Sequence, residues 1–382
     1  MKPNGSNTKF KLFAVCPPGI EDILSLELSS LGIKGRKVAG GVEFSGDLFT
    51  IYSVNLWSRV ASRILLRVGN FRLLSLKEAT DRFSRYPWEL YIPDSTDIRI
   101  RATAHKSRIY HSGALKQRLL EGISRRLGHP IRLASERAGR NCPLLLVRMF
   151  RDRCQVSVDS SGEHLHKRGL KKFTVRAPLR ENLAAAMLLA SGWDRASDLV
   201  DPFCGSGTII IEAVLMACMI PPGRRRKFAF MKWKNFDQGL WKHLLRRSDR
   251  LAIEPTGSII GLDKDPAAVE TSILNLEYAG LIPFARIIQE DVSCLERHCR
   301  SERGFIVTNP PYGQRLKENY SLTDLFATFG RIVKKRLPGW KLTLLCPQNP
   351  PSLRRSLGLS LDSRYRFLNG GLKVELLSSA ID

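Results

Sequence analysis

Apolar and polar positions are spaced differently in the two halves of the chain. Residues 10–15 form a short apolar run with the character of a strand. Ile20, Ile23, Leu24, Leu28 and Leu31 then recur on one face of a helix, Val42 and Phe44 alternate as in a strand, and Leu48, Ile51, Tyr52 and Leu56 mark a second helix. Further on, Ile98, Ile100 and Ala102 alternate with Arg99, Arg101 and Thr103, the pattern of a half-buried strand with both arginines on its open face. Leu115, Leu119, Ile123 and Leu127 fall on one side of a helix, with Lys116, Arg125 and Arg126 away from it. The runs LLLVRMF and CQVSVDS predict two closing strands.

The stretch GEHLHKRGLKKFTVRAPL, residues 162–179, is basic, broken by glycine and proline, and without a period, which predicts a joint. Beyond it, apolar segments at 197–200, 258–262, 285–288, 304–308 and 341–346 are separated by helical patterns, the rhythm of a parallel, doubly wound α/β sheet. Ligands of such sheets bind beyond the carboxyl ends of the strands. The chemistry is therefore expected immediately after each of these segments.

Composition adds a partner. The 382 residues carry 61 Lys and Arg against 36 Asp and Glu, a net charge of +25. Residues 1–190 hold 33 basic and 16 acidic side chains (+17), and residues 191–382 hold 28 and 20 (+8). A polyanion is the expected partner, drawn mainly to the N-terminal half. The eight cysteines lack a C-x-x-C pair, His164 and His166 stand without further ligands in an extended stretch, and no metal is expected. Residues 208–220 are the most apolar stretch, too short to span a bilayer and broken by Glu212, and the N-terminus MKPNGSNTKF has no apolar core of a signal. A cytoplasmic protein with free thiols and no membrane partner is expected.

Four strand ends carry candidate chemistry. DPFCGSGTIIIEA, residues 201–213, places Asp201 and Pro202 before a tight turn at Gly205 and Gly207, with a helix beginning at Thr208. It lacks the Gly-Lys-Ser/Thr of a phosphate-cradling loop, and Ile210 occupies the place of a third dinucleotide-binding glycine. A nucleoside without a pyrophosphate fits better, and Asp201 suits an ammonium group; S-adenosyl-L-methionine meets both demands. Asp263, in GLDKDP, is placed to accept from two ribose hydroxyls, and Asp291, in IIQEDV, from an adenine amino group.

The fourth strand end is TNPPYGQR, residues 308–315. An exocyclic amine on a nucleobase is a poor nucleophile because its lone pair is delocalised into the ring. Acceptors at Asn309 Oδ1 and a carbonyl of Pro310 or Pro311 would draw the nitrogen toward tetrahedral geometry, and the rigid imides would hold those acceptors still. Tyr312 offers a face for the base to stack on. No general base is needed, and Cys346-Pro347, at another strand end, lacks a local proton donor for thiol chemistry. RRRKFAFMKW, residues 224–233, interleaves basic and aromatic residues in a way that suits unpaired RNA or, equally, an apolar flap packed on its own domain.

With these motifs the chain resembles the THUMP-associated RNA guanine-N2 methyltransferases of the RlmL type. The resemblance is carried by HKRGLKKFTVRAPLRENLAAAML, DPFCGSGTIIIEA, PPGRRRKFAFMKWKNFDQGLW, GLDKDPAAVETSILNLEYAGL, TNPPYGQRL and RFLNGGLKVELL. It implies a ferredoxin-like domain at 1–69, a THUMP domain at 70–162 and a Rossmann-like methyltransferase domain at 163–382. It also implies that Asp201, Gly205 and Gly207 meet the methionine end of the cofactor, Asp263 the ribose, Asp291 the adenine, and Asn309 to Tyr312 the target guanine. RlmL proper continues into a second methyltransferase domain that is absent from this sequence, so the target nucleotide stays open. The expected product is N2-methylguanosine in large-subunit (23S) rRNA. The alternatives are a tRNA guanine-N2 methyltransferase, a DNA adenine-N6 methyltransferase, which would use N-P-P-Y in the same way, and a non-catalytic RNA-binding assembly factor.

Overall fold

The computed structural model describes residues 9–94, 96–135, 142–173, 179–312 and 321–381. Residues 313–315 of the TNPPYGQR stretch and 174–178 of the joint lie outside the described residues.

The N-terminal half is built on one mixed sheet. Its strands are β1 (Phe10–Val15), β2 (Gly35–Val38), β3 (Gly41–Gly46), β4 (Arg63–Arg72), β5 (Arg99–His105), β6 (Leu144–Phe150) and β7 (Arg153–Asp159), in the order β2-β3-β1-β4-β7-β6-β5. All pairings are antiparallel except β5 with β6. Helices α1 (Glu21–Ser30), α2 (Leu48–Trp57), α3 (Ala79–Ser84) and α4 (Ser112–Leu127) pack on it. Asp47 starts α2 through a reciprocal bond with Thr50, and Gly128 ends α4 in the left-handed conformation. The expected boundary at 69/70 falls inside β4, which pairs with β1 on one side and β7 on the other. Both expected units thus share one continuous sheet.

The second half carries β8 (Leu199–Asp201), β9 (Ile259–Asp263), β10 (Arg286–Gln289), β11 (Phe305–Thr308), β12 (Lys341–Pro347), β13 (Asp362–Asn369) and β14 (Leu372–Ala380), in the order β10-β9-β8-β11-β12-β14-β13. The first five are parallel, as their spacing predicts, and the β13–β14 hairpin adds antiparallel to β12. Helices α5 (Glu181–Ala190), α6 (Thr208–Ala217), α7 (Gln238–Arg250), α8 (Pro266–Ala279), α9 (Leu322–Arg336) and α10 (Ser352–Ser356) complete the layers. The order reverses at β8, whose neighbours are β9 and β11. A crevice therefore opens at the carboxyl ends of β8 and β11, where the crossovers leave in opposite directions.

The halves are joined through buried polar contacts as well as apolar ones. Every residue of α6 is buried, so Glu212 within it must find a cation. Arg168 supplies one at 3.1 Å and Arg59, from the N-terminal half, stands at 3.9 Å. Arg59 also donates to the carbonyls of Leu215 and Ile220 at the far end of α6. The aromatic residues of the 224–233 insertion belong to this same seam: Phe230 stacks on Tyr52 at 4.4 Å, Trp233 meets Tyr91 edge-on, and Phe228 packs against Trp241. Phe228, Phe230 and Trp233 are all buried. Their rings are thus engaged by protein and do not form an open platform for RNA bases.

Candidate active site

The three carboxylates singled out at strand ends all lie along the carboxyl edge of the parallel strands. Asp201 is the last residue of β8 and Asp263 the last of β9, while Asp291 lies two residues beyond β10. Asp201 is 1% exposed, and its Oδ1 accepts from Thr308 Oγ1 at 2.6 Å and from the Phe203 amide at 3.2 Å. Burial pushes its carboxyl up to about 7, with neighbouring Asp263 adding in the same direction. A buried carboxylate flanked by a second one is stabilised by a cation in the crevice.

Asp263 braces the turn. Its Oδ2 accepts from the Gly205 amide at 2.9 Å and its Oδ1 from the Asp265 amide at 3.0 Å. Burial raises its pKa against these bonds. Asp291 is half-buried and caps a short 3-10 turn through the Ser293 amide at 2.9 Å. Both acids thus cap backbone amides and keep lone pairs available for hydroxyl or amino donors.

The turn between Asp201 and α6 needs its glycines. Gly205 and Gly207 have φ of +55° and +75°, and a Cβ on Gly207 would sit 3.1 Å from Ser272 Oγ. From α8, Ser272 donates to the Gly205 carbonyl at 2.6 Å and Asn275 to the Ser206 carbonyl at 3.2 Å. Lys171, arriving from the joint, donates to Ser206 Oγ at 3.0 Å and Thr208 Oγ1 at 2.6 Å. The loop is thus held by β9, α8 and the joint.

Beside Asp201, β11 ends at Thr308 and Asn309 follows. Asn309 Oδ1 is buried yet has no hydrogen-bond partner. An orphaned buried acceptor costs about 1–3 kcal/mol, and an incoming N–H donor would recover it. Pro310 is buried behind it. Tyr312 departs from expectation: its ring is 3% exposed, packed in the core, and its hydroxyl accepts from Asn369 Nδ2 at 2.9 Å. The ring therefore ties the loop to the β13–β14 hairpin and does not offer an open stacking face.

Other candidates resolve simply. Cys346 is fully buried and its thiol is pushed up to about 12, so it stays protonated and unreactive. His164 and His166 stack at 5.3 Å, and burial holds them neutral, down to about 4 and about 3. Among the described residues no group of three or more His, Cys, Asp or Glu could hold a metal, and no helix is long and apolar enough to cross a membrane. Of the basic residues expected on open faces, Arg101, Arg125 and Arg126 are exposed, the last two paired with Asp81 and Glu89. Arg99 and Lys116 are half-buried, and Arg99 donates to the Cys142 carbonyl at 3.1 Å. Sequence reasoning missed Thr308, Lys171, Ser272 and Asn275, since each touches the loop only through tertiary packing.

A switch-point crevice with a glycine turn, acids at successive strand ends and N-P-P-Y beside them defines a methyltransferase that uses S-adenosyl-L-methionine. The chain belongs to the RMKL-like methyltransferase family, whose domain profile matches residues 168–364, and an RlmL ferredoxin-like domain matches residues 11–65. It is 34% identical, over 97% of its length, to the ribosomal RNA large subunit methyltransferase K/L of Allochromatium vinosum. It spans about half the length of the curated relatives it matches. Among solved structures, SMU.472, determined in complex with S-adenosylhomocysteine (SAH), is 28% identical with a TM-score of 0.86 over 99% of both chains. A Listeria monocytogenes protein described as a predicted N6-adenine-specific DNA methylase is also 28% identical, with a TM-score of 0.84, covering 97% of this chain and 96% of that one.

Proposed function

We propose that this chain methylates the exocyclic N2 of a guanosine in RNA, with large-subunit rRNA as the substrate class. The single observation that carries the reading is the buried, unpartnered Asn309 Oδ1 at the switch point. The cofactor supplies an electrophilic methyl group on a sulfonium. Asn309 Oδ1 and the Pro310 carbonyl accept the two amine hydrogens, so the nitrogen lone pair turns away from the ring and toward the crevice. Pro310 and Pro311 keep those acceptors fixed. The proton is lost after the methyl group arrives, so no side chain need act as general base.

On the cofactor side, Asp201 takes the ammonium of the methionine end and Asp263 the ribose hydroxyls. Asp291 accepts from the adenine amine, and Pro202, Gly205, Gly207 and Thr208 form the wall of the turn. Residues 1–69 and 70–162, as ferredoxin-like and THUMP units on one sheet, anchor the RNA backbone. The charge excess of the N-terminal half and the likeness to large-subunit rRNA methyltransferases support RNA over DNA.

The test is methyl transfer from labelled S-adenosylmethionine to large-subunit rRNA, tRNA and duplex DNA, followed by nucleoside mass spectrometry. N2-methylguanosine in the rRNA is the expected product. N2-methylguanosine confined to tRNA would move the substrate, and N6-methyladenine in DNA would overturn the reading, the outcome suggested by the Listeria relative's name.

A further inference from the structure

The β13–β14 hairpin rises past the strand ends that carry the site. Thr308, the last residue of β11, is level with Leu344 of β12, and Leu344 is level with Leu377 of β14. β14 begins at Leu372, so from Leu377 it continues for five residues beyond the end of β11, an overhang of about 16 Å at the rise of a strand. The connection is the pair Gly370-Gly371, with φ of +58° and +88°, the two-residue turn whose twist matches that of the flanking strands. Asn369, the last residue of β13, donates to the Tyr312 hydroxyl at 2.9 Å and so fixes this arm to the N-P-P-Y loop.

The tip of the arm is open and mixed in character. Leu368 and Leu372 are 60% and 50% exposed, while the hairpin is seated on the core by buried Phe367, Val374 and Leu376. Neither leucine is therefore needed to hold the hairpin in place. Pairing sets Leu372 opposite Asn369, on the face turned toward Tyr312, and Leu368 opposite Lys373 on the other. Lys373 and Arg366 are exposed. The acids of the hairpin are set back: Asp362 stands at its base, and Glu375 is buried and shared between Arg354 and Arg366.

A base that reaches Asn309 from a polynucleotide brings its neighbours past this arm. We infer that the hairpin tip holds the unpaired nucleotide next to the target, with Leu372 packed on its base and Lys373 and Arg366 drawn to its phosphates. The inference rests on the RNA reading above and adds the form of the substrate, a target whose flank is single-stranded. Stacked bases cover each other's faces, whereas a leucine at a tip offers apolar surface only to a base that has left its stack. Because leucine supplies no hydrogen-bond donor or acceptor, the contact selects an unstacked base and not its identity.

The test uses the full chain and a transcript of large-subunit rRNA. Leu372→Ser should raise KM for the transcript about fivefold or more, with kcat and SAH affinity each within about twofold of wild type. Leu372→Met should restore KM, and Leu251→Ser, at an exposed leucine just beyond α7, should leave it unchanged. Unchanged KM in Leu372→Ser would overturn the inference, and so would an equal loss of SAH affinity, which would make Leu372 a brace for the loop. A second measurement needs no methyl transfer: p-azidophenylalanine in place of Leu372 or of Leu251, irradiated with the transcript. Cross-linked RNA is expected from position 372 and not from 251, at nucleotides adjoining the methylated guanosine. A wild type that methylates no rRNA would defeat the proposed function, and the hairpin would then be judged by the cross-link alone, with RNA captured at both positions or at neither overturning its role.

Discussion

Replacing Asp201 by asparagine separates what this carboxylate costs the fold from what it contributes to binding. The substitution keeps the oxygen that accepts from Thr308 Oγ1 at 2.6 Å and from the Phe203 amide at 3.2 Å, and it removes only the charge. In the unfolded chain the group ionises near its ordinary 3.8, and in the folded chain near about 7. Between those values the folded state binds a proton that the unfolded state does not, so stability falls as pH rises through this window. The penalty is absent below 3.8 and complete above 7, where the span corresponds to ~4 kcal/mol. Urea denaturation of wild type and Asp201→Asn should therefore coincide near pH 4 and diverge until the variant is more stable by ~4 kcal/mol near pH 8. Binding should move the other way. An ammonium beside Asp201 drives the carboxylate to ionise, so wild type should release a proton on binding SAH near pH 7, read by calorimetry in buffers of different ionisation enthalpy. The variant should bind more weakly and release none. A variant no more stable than wild type at pH 8, or proton release unchanged by the substitution, would refute the reasoning.

Three further outcomes are expected. Asn309→Ala should lower kcat about 100-fold or more while SAH affinity changes by less than about twofold, because the lost acceptor acts on the target amine; single-turnover methylation paired with calorimetry checks this. Arg168→Ala should destabilise the chain by about 3 kcal/mol, since it removes the nearer cation of buried Glu212 and leaves only Arg59 at 3.9 Å, and denaturant midpoints for this variant and for Arg168→Lys would measure the loss and its partial recovery. Arg101→Ala with Lys106→Ala, two exposed positions on and just after β5, should weaken RNA binding and reduce the slope of log affinity against log salt by about 1–2, leaving SAH binding unchanged.

The parallel core of the second half was legible because each of its strands is a short apolar run closed by a polar or turn residue, a signal that survives without any tertiary context. The strand-end placement of Asp201, Asp263 and Asn309 was legible for the same reason, since strand ends can be read from the run that precedes them. Other features had no local signature. β4, RILLRVGNFR, lies in the middle of its sheet with partners on both sides, so it lacks the alternation that marks a half-exposed strand. β13 and β14 join the sheet edge by antiparallel pairing, which interrupts the strand-and-helix rhythm.

Side-chain roles divide in the same way. An aromatic residue beside a strand-end amide, or a cluster of aromatic and basic residues, carries the same sequence pattern whether it faces solvent or protein. Only packing decided that Tyr312 is bolted to Asn369 and that Phe228, Phe230 and Trp233 close the seam between the halves. Sequence determined which residue types stand at the ends of the strands. Tertiary structure decided which distant groups, Lys171, Ser272, Asn275 and Thr308 among them, meet those residues, because hydrogen bonds between elements depend on how the elements pack and not on their spacing along the chain.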